Sequence, residues 1–295
     1  MSLALRLKTA KQKGEMLLVE EGLVSLPIDP FEIAERRDIV VQAKPNVASG
    51  VSGMLLRHGN TFGILYASDI PSDGFQRFSV AHELGHYFLD GHIDHVLPND
   101  GFHQSHAGFS SQDPYEREAD SFAVGLLMPS KLFRRLIGRH PLGLVDIEAA
   151  AETCKTSLTA TAIRYVELTS DAIAIIVSTG STIDYCIMSE AMKSFRNLTW
   201  FKRGALVPLN TETARFNADP SRGLRGERSS IKIDILDWLG GTNSSILTEE
   251  VIGLGNYGKT LTILSSSKIG QEIYSGDEDD DEEKLIESWT PRFRR

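Results

Sequence analysis

Leu3 to Glu21 combines good helix formers with apolar residues at near-helical spacing (Leu7, Ala10, Met16, Leu17), which predicts an opening amphipathic helix. Asp29-Pro30 pairs a capping side chain with the residue that suits the first helical position, and predicts a short helix ending at Arg37. Asp38 to Val41, Val51 to Leu56 and Phe62 to Ala67 are apolar or β-branched and read as strands. The last two flank Arg57-His58-Gly59-Asn60, which reads as a hairpin turn. From about Asp73 to Leu89 the pattern becomes apolar on nearly every side (Phe75, Phe78, Val80, Ala81, Leu84, Tyr87, Phe88). A helix of that kind is buried.

Asp90 to Gln112 reads as a long polar loop holding four histidines, His92, His95, His103 and His106. Asp113-Pro114 opens the next helix, which ends at Met128-Pro129. Three more helices are expected, at about 131–139, 144–154 and 158–169. After Ser170 the pattern shifts to strands among loops: Ala172–Ser178, Ile183–Met188, Leu206–Leu209, Ile231–Ile235 and Thr260–Ser265. The expected organisation is therefore a first domain over 1–170, an α+β domain over 171–275, and a low-complexity tail over 276–295.

Charge changes this picture little. The net charge is −9, but seven of the negative charges form one run, Asp277 to Glu283, and the rest of the chain carries only −2. The acidity is local and argues against a general nucleic-acid binder. The run is expected to be a solvated, disordered tail, or to screen the oppositely charged segment Glu190–Lys232. That segment carries +5, interleaved with Phe195, Trp200, Phe201 and Phe216, and reads as a solvated face over a small core before a nucleic-acid surface. Asp146 to Leu168 resembles two helices about a short turn, yet its balance is −2, so a packing role is expected there. Direct nucleic-acid binding is not expected. Cys154 and Cys186 are too few for a disulfide framework and are expected to be reduced. Arg6, Lys8, Lys11 and Lys13 interrupt the first apolar residues, and the longest apolar run, Ala172 to Val177, is too short for a bilayer. A cytoplasmic protein with no membrane segment is the expectation.

The chemistry lies in His82-Glu83-Leu84-Gly85-His86. On a helix, residues four apart lie one above the other, so both imidazoles can reach one metal ion. Glu83 is angled beside that ion, placed to take a proton from water rather than to ligate. Burying His82, Glu83 and His86 on a helix packed with Phe and Leu needs a partner or a metal to offset it. Gly85 weakens the helix relative to Ala by about 1 kcal/mol, and its presence implies a backbone or a substrate passing close.

A catalytic metal site needs a third protein ligand and an open position. His92, six residues after His86, has the spacing of one known zinc pattern, but that pattern needs Gly where Leu89 stands. Glu116 is the favoured candidate, with Asp120 four residues on and placed to accept the N–H of a ligating histidine. Glu118 points about 200° away from Glu116 on the same helix. The competing role for Glu116 is a capping box with Asp113. Zinc is the expected ion, with manganese as the alternative for a site of two histidines and a carboxylate. Tyr66 and the four loop histidines remain open as the group that steadies a developing oxyanion, and Phe62 to Ala67 is considered as an edge strand to receive an extended substrate.

Two separated stretches, QRFSVAHELGHYFL and EREADSFAVGLLMP, occur in an order that resembles the ImmA/IrrE family of metallopeptidases over about residues 10 to 170. The resemblance implies an α+β chain: a mainly helical, zincin-like metallopeptidase domain with a small antiparallel sheet, followed by a smaller α+β domain. It implies a gluzincin-like zinc site with His82, His86 and Glu116 as ligands, Glu83 as general base and Asp120 behind a ligand. Family members cleave helix-turn-helix transcriptional repressors, or regulate them by binding. The implied activity is a zinc endopeptidase acting on such a repressor in stress-response transcription. The alternative is a non-catalytic regulatory protein that binds a repressor or toxin.

Overall fold

A computed structural model describes residues 2–44, 50–70, 72–97, 101–106 and 111–266 of the chain, and the acidic tail lies outside them. The fold is α+β. The chain divides into two compact units, one of residues 1–136 and 149–161, the other of 137–148 and 162 onward.

In the first unit, helix α1 (Leu3–Glu20) is capped by Ser2, and α2 (Pro30–Glu35) by Asp29 with Pro30 at its start. Strands β1 (Val40–Lys44), β2 (Val51–His58) and β3 (Thr61–Ala67) precede the central helix α3 (Asp73–Phe88). The short helix α4 (His92–Val96), the strand β4 (Gly101–His106) and the helix α5 (Pro114–Leu127) follow. The region read as a polar loop thus holds a helical turn and a strand. Its strand was hidden because the sequence GFHQSH alternates polar side chains, not apolar ones, toward the interior.

The four strands form one sheet in the order β1-β3-β2-β4. The β2–β3 hairpin turns at Gly59, which has a positive φ of 60°, as expected of that turn. The sheet is mixed, not wholly antiparallel: β1 runs parallel to β3, while β2 pairs antiparallel with both β3 and β4. Phe62 to Ala67 is therefore an interior strand. Its backbone donors and acceptors are taken by β1 and β2, so it cannot receive an added strand. The edge is β4.

Leu55 and Ile64 from the sheet, Leu84 from α3 and Phe122 and Leu126 from α5 are fully buried together with Ile33 from α2. Two glycine contacts draw α1 against α5. A side chain at Gly14 would strike the carbonyl oxygen of Phe122, and one at Gly125 the carbonyl oxygen of Lys11. Helix α3 meets α5 as closely: a Cβ on Gly85 would lie 3.0 Å from Ala119 Cα. The passing backbone implied by that mid-helix glycine is α5.

Helices α6 (Ser130–Leu136), α7 (Leu144–Cys154) and α8 (Leu158–Leu168) come next in the chain. The second unit contains strands β5 (Ala172–Thr179), β6 (Thr182–Met188), β7 (Arg228–Asp234), β8 (Ile246–Gly253) and β9 (Thr260–Ser266). They form an antiparallel sheet in the order β6-β5-β9-β8-β7. Short helices α9 (Glu190–Lys193), α10 (Glu212–Asn217), α11 (Pro220–Leu224) and α12 (Ile235–Leu239) connect them. Met192, Val207, Ile235 and Trp238 pack on Ala174, Ile176, Leu247 and Leu264 of the sheet.

Leu206–Leu209 is not a strand. Leu206 makes one isolated bridge to Thr182, Leu206 and Leu209 are both exposed, and Val207 is the one residue of the segment buried on the core. Strand β8 escaped the sequence pattern because Glu249 and Glu250 interrupt it. Glu249 is nonetheless buried, where its carboxylate accepts from the backbone N–H groups of Glu212 and Thr213 at 3.0 and 2.8 Å and holds the start of α10. In the segment Glu190–Lys232, Phe195 and Phe201 lie on the core, while Arg215 pairs with Glu212, Arg222 and Arg225 with Glu227, and Arg228 with Glu148. Glu212 and Glu227 are already counted in the segment's +5, so of these pairs only Arg228–Glu148 answers part of the excess. Among the described residues no helix is long and apolar enough to cross a membrane.

Candidate metal centre

Ser72 caps α3 by accepting from Phe75 N–H, and the helix then runs unbroken through the His82–His86 motif. His82, Glu83 and His86 are all buried. Asp113 caps α5 through Tyr115 N–H, so Glu116 takes no capping role and turns toward α3.

His82 Nε2 and His86 Nε2 lie 3.1 Å apart. The Glu116 carboxylate lies 3.4 Å from His82 Nε2 and 3.2 Å from His86 Nε2. Ligand atoms about 2.0–2.1 Å from a tetrahedral ion are separated by about 3.3 Å, so the three groups have the spacing of three corners of such a site. They form a set that could hold a metal ion.

The electrostatics suit a cation. Burial would raise the Glu116 carboxyl, but hydrogen bonds with His103, His82 and His86 hold it well below the usual carboxylate range. It therefore stands as an anion. Burial pushes His86 down to about 3, which leaves its imidazole neutral with a lone pair to give. Burial opposes the charged form of His82, and the hydrogen bonds it donates to Asp120 and Glu116 outweigh it and raise its pKa. Such a site without an ion attracts positive charge. His82 Nδ1 is 2.8 Å from Asp120 Oδ1, which directs Nε2 toward Glu116 and His86.

Glu83 lies apart from this triangle, over the ladder between β2 and β4. Gly53 and Ser105 are cross-strand partners there, and a Cβ on Gly53 would lie 2.5 Å from Glu83 Oε1. Both Glu83 oxygens are buried without a hydrogen-bond partner among the described residues. Burial pushes the carboxyl up to about 7. An orphaned buried carboxyl beside two histidines and a carboxylate is costly unless the site is to be filled.

The structure places the loop histidines apart from one another. His92 is not in the ligand set; it stands behind His86, with its Nδ1 3.2 Å from His86 Nδ1 and its Nε2 2.9 Å from Glu118. His95 stacks on Tyr115. His106 is exposed at the end of β4. His103 reaches the site from β4, with Nε2 2.8 Å from Glu116 Oε1. Tyr66 is spent on an edge contact with Phe31. Glu118 points away from the ligand triangle, yet it is engaged by His92 and Arg6. Sequence reasoning kept His103 open only as one of four loop histidines, and missed Ser105 and Gly53 as neighbours of the motif. The i, i+2 spacing of His103 and Ser105 was the available signal, had the segment been read as a strand.

Residues 34–165 match a peptidase-family model described as the IrrE N-terminal-like domain. Over that segment the chain is similar to an IrrE N-terminal-like domain. His82, Glu83, His86, His103, Glu116 and Asp120 all lie within the matched segment. A solved structure titled "Mycobacterium tuberculosis transcriptional regulator" shares the fold, with a TM-score of 0.51 over 90% of this chain and 82% of that one at 13% identity. No curated protein matches the chain.

Proposed function

We propose that this protein is a metal-dependent endopeptidase, with zinc as the ion and manganese as the alternative. The observation that carries the proposal is the convergence of His82 Nε2, His86 Nε2 and the Glu116 carboxylate beside a buried, unpartnered Glu83. A divalent ion held by those three groups would polarise a scissile carbonyl and lower the pKa of water toward 7. Glu83 is the general base. Its pKa near 7 lets it take a proton from the attacking water and return it to the leaving amine. Gly53 gives the carboxyl room, and the β2–β4 ladder beneath it excludes solvent. His103 is the one of the four histidines that both reaches Glu116 and keeps an accessible edge, so it is the donor for a developing oxyanion.

The substrate class is a partner protein, and resemblance to the ImmA/IrrE family points to a helix-turn-helix repressor. The second reading is a regulator that holds such a partner without cutting it. The fold shared with a protein titled a transcriptional regulator favours it. Glu83 weighs against it, since binding alone does not require a buried carboxyl with no partner. The test is metal analysis of the purified chain, followed by incubation with helix-turn-helix repressors from the same genome and mass spectrometry of the products. Stoichiometric metal and a discrete cleavage that Glu83→Gln abolishes are expected. A complex that forms with both proteins and yields no fragment would establish the regulatory reading instead.

A further inference from the structure

Behind the metal-facing edge of His86 runs a line of polar contacts that leads out of the site. His86 Nδ1 lies 3.2 Å from His92 Nδ1, and His92 Nε2 lies 2.9 Å from Glu118 Oε2. Arg6 closes the line: both its Nε and its NH2 group contact the Glu118 carboxylate, the latter at 3.0 Å. His86 and His92 are buried and Glu118 nearly so.

Donor and acceptor roles along this line follow from its outer end. Arg6 only donates, so Glu118 is its acceptor. A carboxylate accepts only, so His92 donates from Nε2. In a neutral imidazole the other nitrogen is then an acceptor, which leaves His92 Nδ1 to receive the proton of His86 Nδ1. His86 Nε2 is thereby left with a lone pair, directed at His82 and Glu116. Each step has one solution once Arg6 is in place. The ring of His82 is oriented more simply, by Asp120 at Nδ1.

Arg6 belongs to α1, ahead of the segment 34–165 that matches the family. Gly14 and Gly125 bring α1 into backbone contact with α5, the helix that carries Glu118 and Glu116. The helix that supplies Arg6 is therefore fixed to the helix that supplies the third ligand.

We propose that Arg6, Glu118 and His92 are a positioning relay that fixes the tautomer and ring orientation of His86, so that α1 sets how tightly the site holds its metal. The proposal rests on the metal-site reading above. None of the three relay residues ligates or touches substrate; each acts through His86.

The experiment uses the full chain. Zn²⁺ affinity is measured by competition with a chromophoric chelator, and Co²⁺ is substituted for its visible ligand-field spectrum. His92→Phe keeps the ring and loses both hydrogen bonds. It should weaken Zn²⁺ binding by roughly 10–100-fold and shift the Co²⁺ bands. His92→Gln, whose amide offers one acceptor and one donor, should restore affinity to within about threefold of wild type. Arg6→Met lies at the partly exposed end of the line, where the fold tolerates change, and should weaken Zn²⁺ severalfold with a smaller spectral shift. Wild-type affinity and an unchanged Co²⁺ spectrum in both His92→Phe and Arg6→Met would overturn the relay. A wild-type chain that binds neither Zn²⁺ nor Co²⁺ would instead overturn the metal site itself, so the two failures are distinguishable.

Discussion

Gly53 on β2 touches Glu83 on α3 so closely that a single added methyl would sit 2.5 Å from its Oε1 and 3.1 Å from its Cγ. The proposed general base is thus seated by a missing side chain on the strand beneath it. Gly53→Ala should push the carboxyl out of place while leaving His82, His86 and Glu116 untouched. Turnover should fall by about 10²–10⁴-fold, the usual worth of a positioned base, with metal content unchanged. Parallel metal analysis and cleavage assays on the variant check this; full activity would show that Glu83 has slack in its seat.

The third ligand is decided by comparing two substitutions. Glu116→Ala removes an anion 3.2 Å from His86 Nε2 and 3.4 Å from His82 Nε2. His92→Ala removes a group that touches the far edge of His86 and the Glu118 carboxylate. Zinc affinity should drop further in Glu116→Ala than the roughly 10–100-fold that loss of an outer partner costs. Chelator competition on both variants gives the ranking, and the reverse order would make His92 a ligand.

The motif and its helix were legible because helical periodicity and metal-ligand spacing agree at His82 and His86. Glu116 and Asp120 could be read for the same reason, since four residues on a helix is one face. What failed was information carried by strands. His103 and Ser105 sit two apart on β4, a pattern too short and too polar to separate from a loop. The edge position was assigned to Phe62–Ala67, although pairing partners are set by distant segments and not by local pattern. Arg6 was seen only as a charge that breaks an apolar run; its link to Glu118 spans 112 residues, beyond any periodicity. In the second unit β8 was missed because Glu249 is a buried acid that holds a helix start, a role that composition alone misrepresents.

The α1–α5 crossing should be intolerant of any side chain at Gly125. A Cβ there meets the Lys11 carbonyl oxygen, which is backbone and cannot rotate away. Gly125→Ala normally favours a helix by about 1 kcal/mol. Here overpacking should reverse the sign and cost about 1–3 kcal/mol. Urea denaturation measures it, and a stabilised variant would mean that the helices can separate freely.

Both thiols should be inert in the folded chain. Cys154 and Cys186 are buried and free, and burial pushes each up to about 12. Little thiolate exists at pH 8, and the thiolate is the reactive form. Iodoacetamide should modify neither residue in native protein and both in denaturant, read by intact mass. Rapid native labelling of either one would show that it is reachable.

Acid should loosen the second unit through Glu212. Burial alone would raise this carboxyl, but hydrogen bonds from the Ser229 hydroxyl and the Arg215 guanidinium, with Arg222 nearby, lower it overall. The folded pKa therefore lies below the unfolded one, and the unfolded chain takes up the proton first. The stability from these bonds is fully present above the unfolded value, about 4.3, and is lost as pH falls through the folded value. Glu212→Gln removes that ionisation. It should cost about 1–2 kcal/mol at neutral pH, where the charge-assisted bonds are lost. The gap between variant and wild type should narrow as pH drops from about 5 to 3. Denaturant titrations at several pH values follow that gap; a constant difference would mean that Glu212 acts through packing and not through its charge.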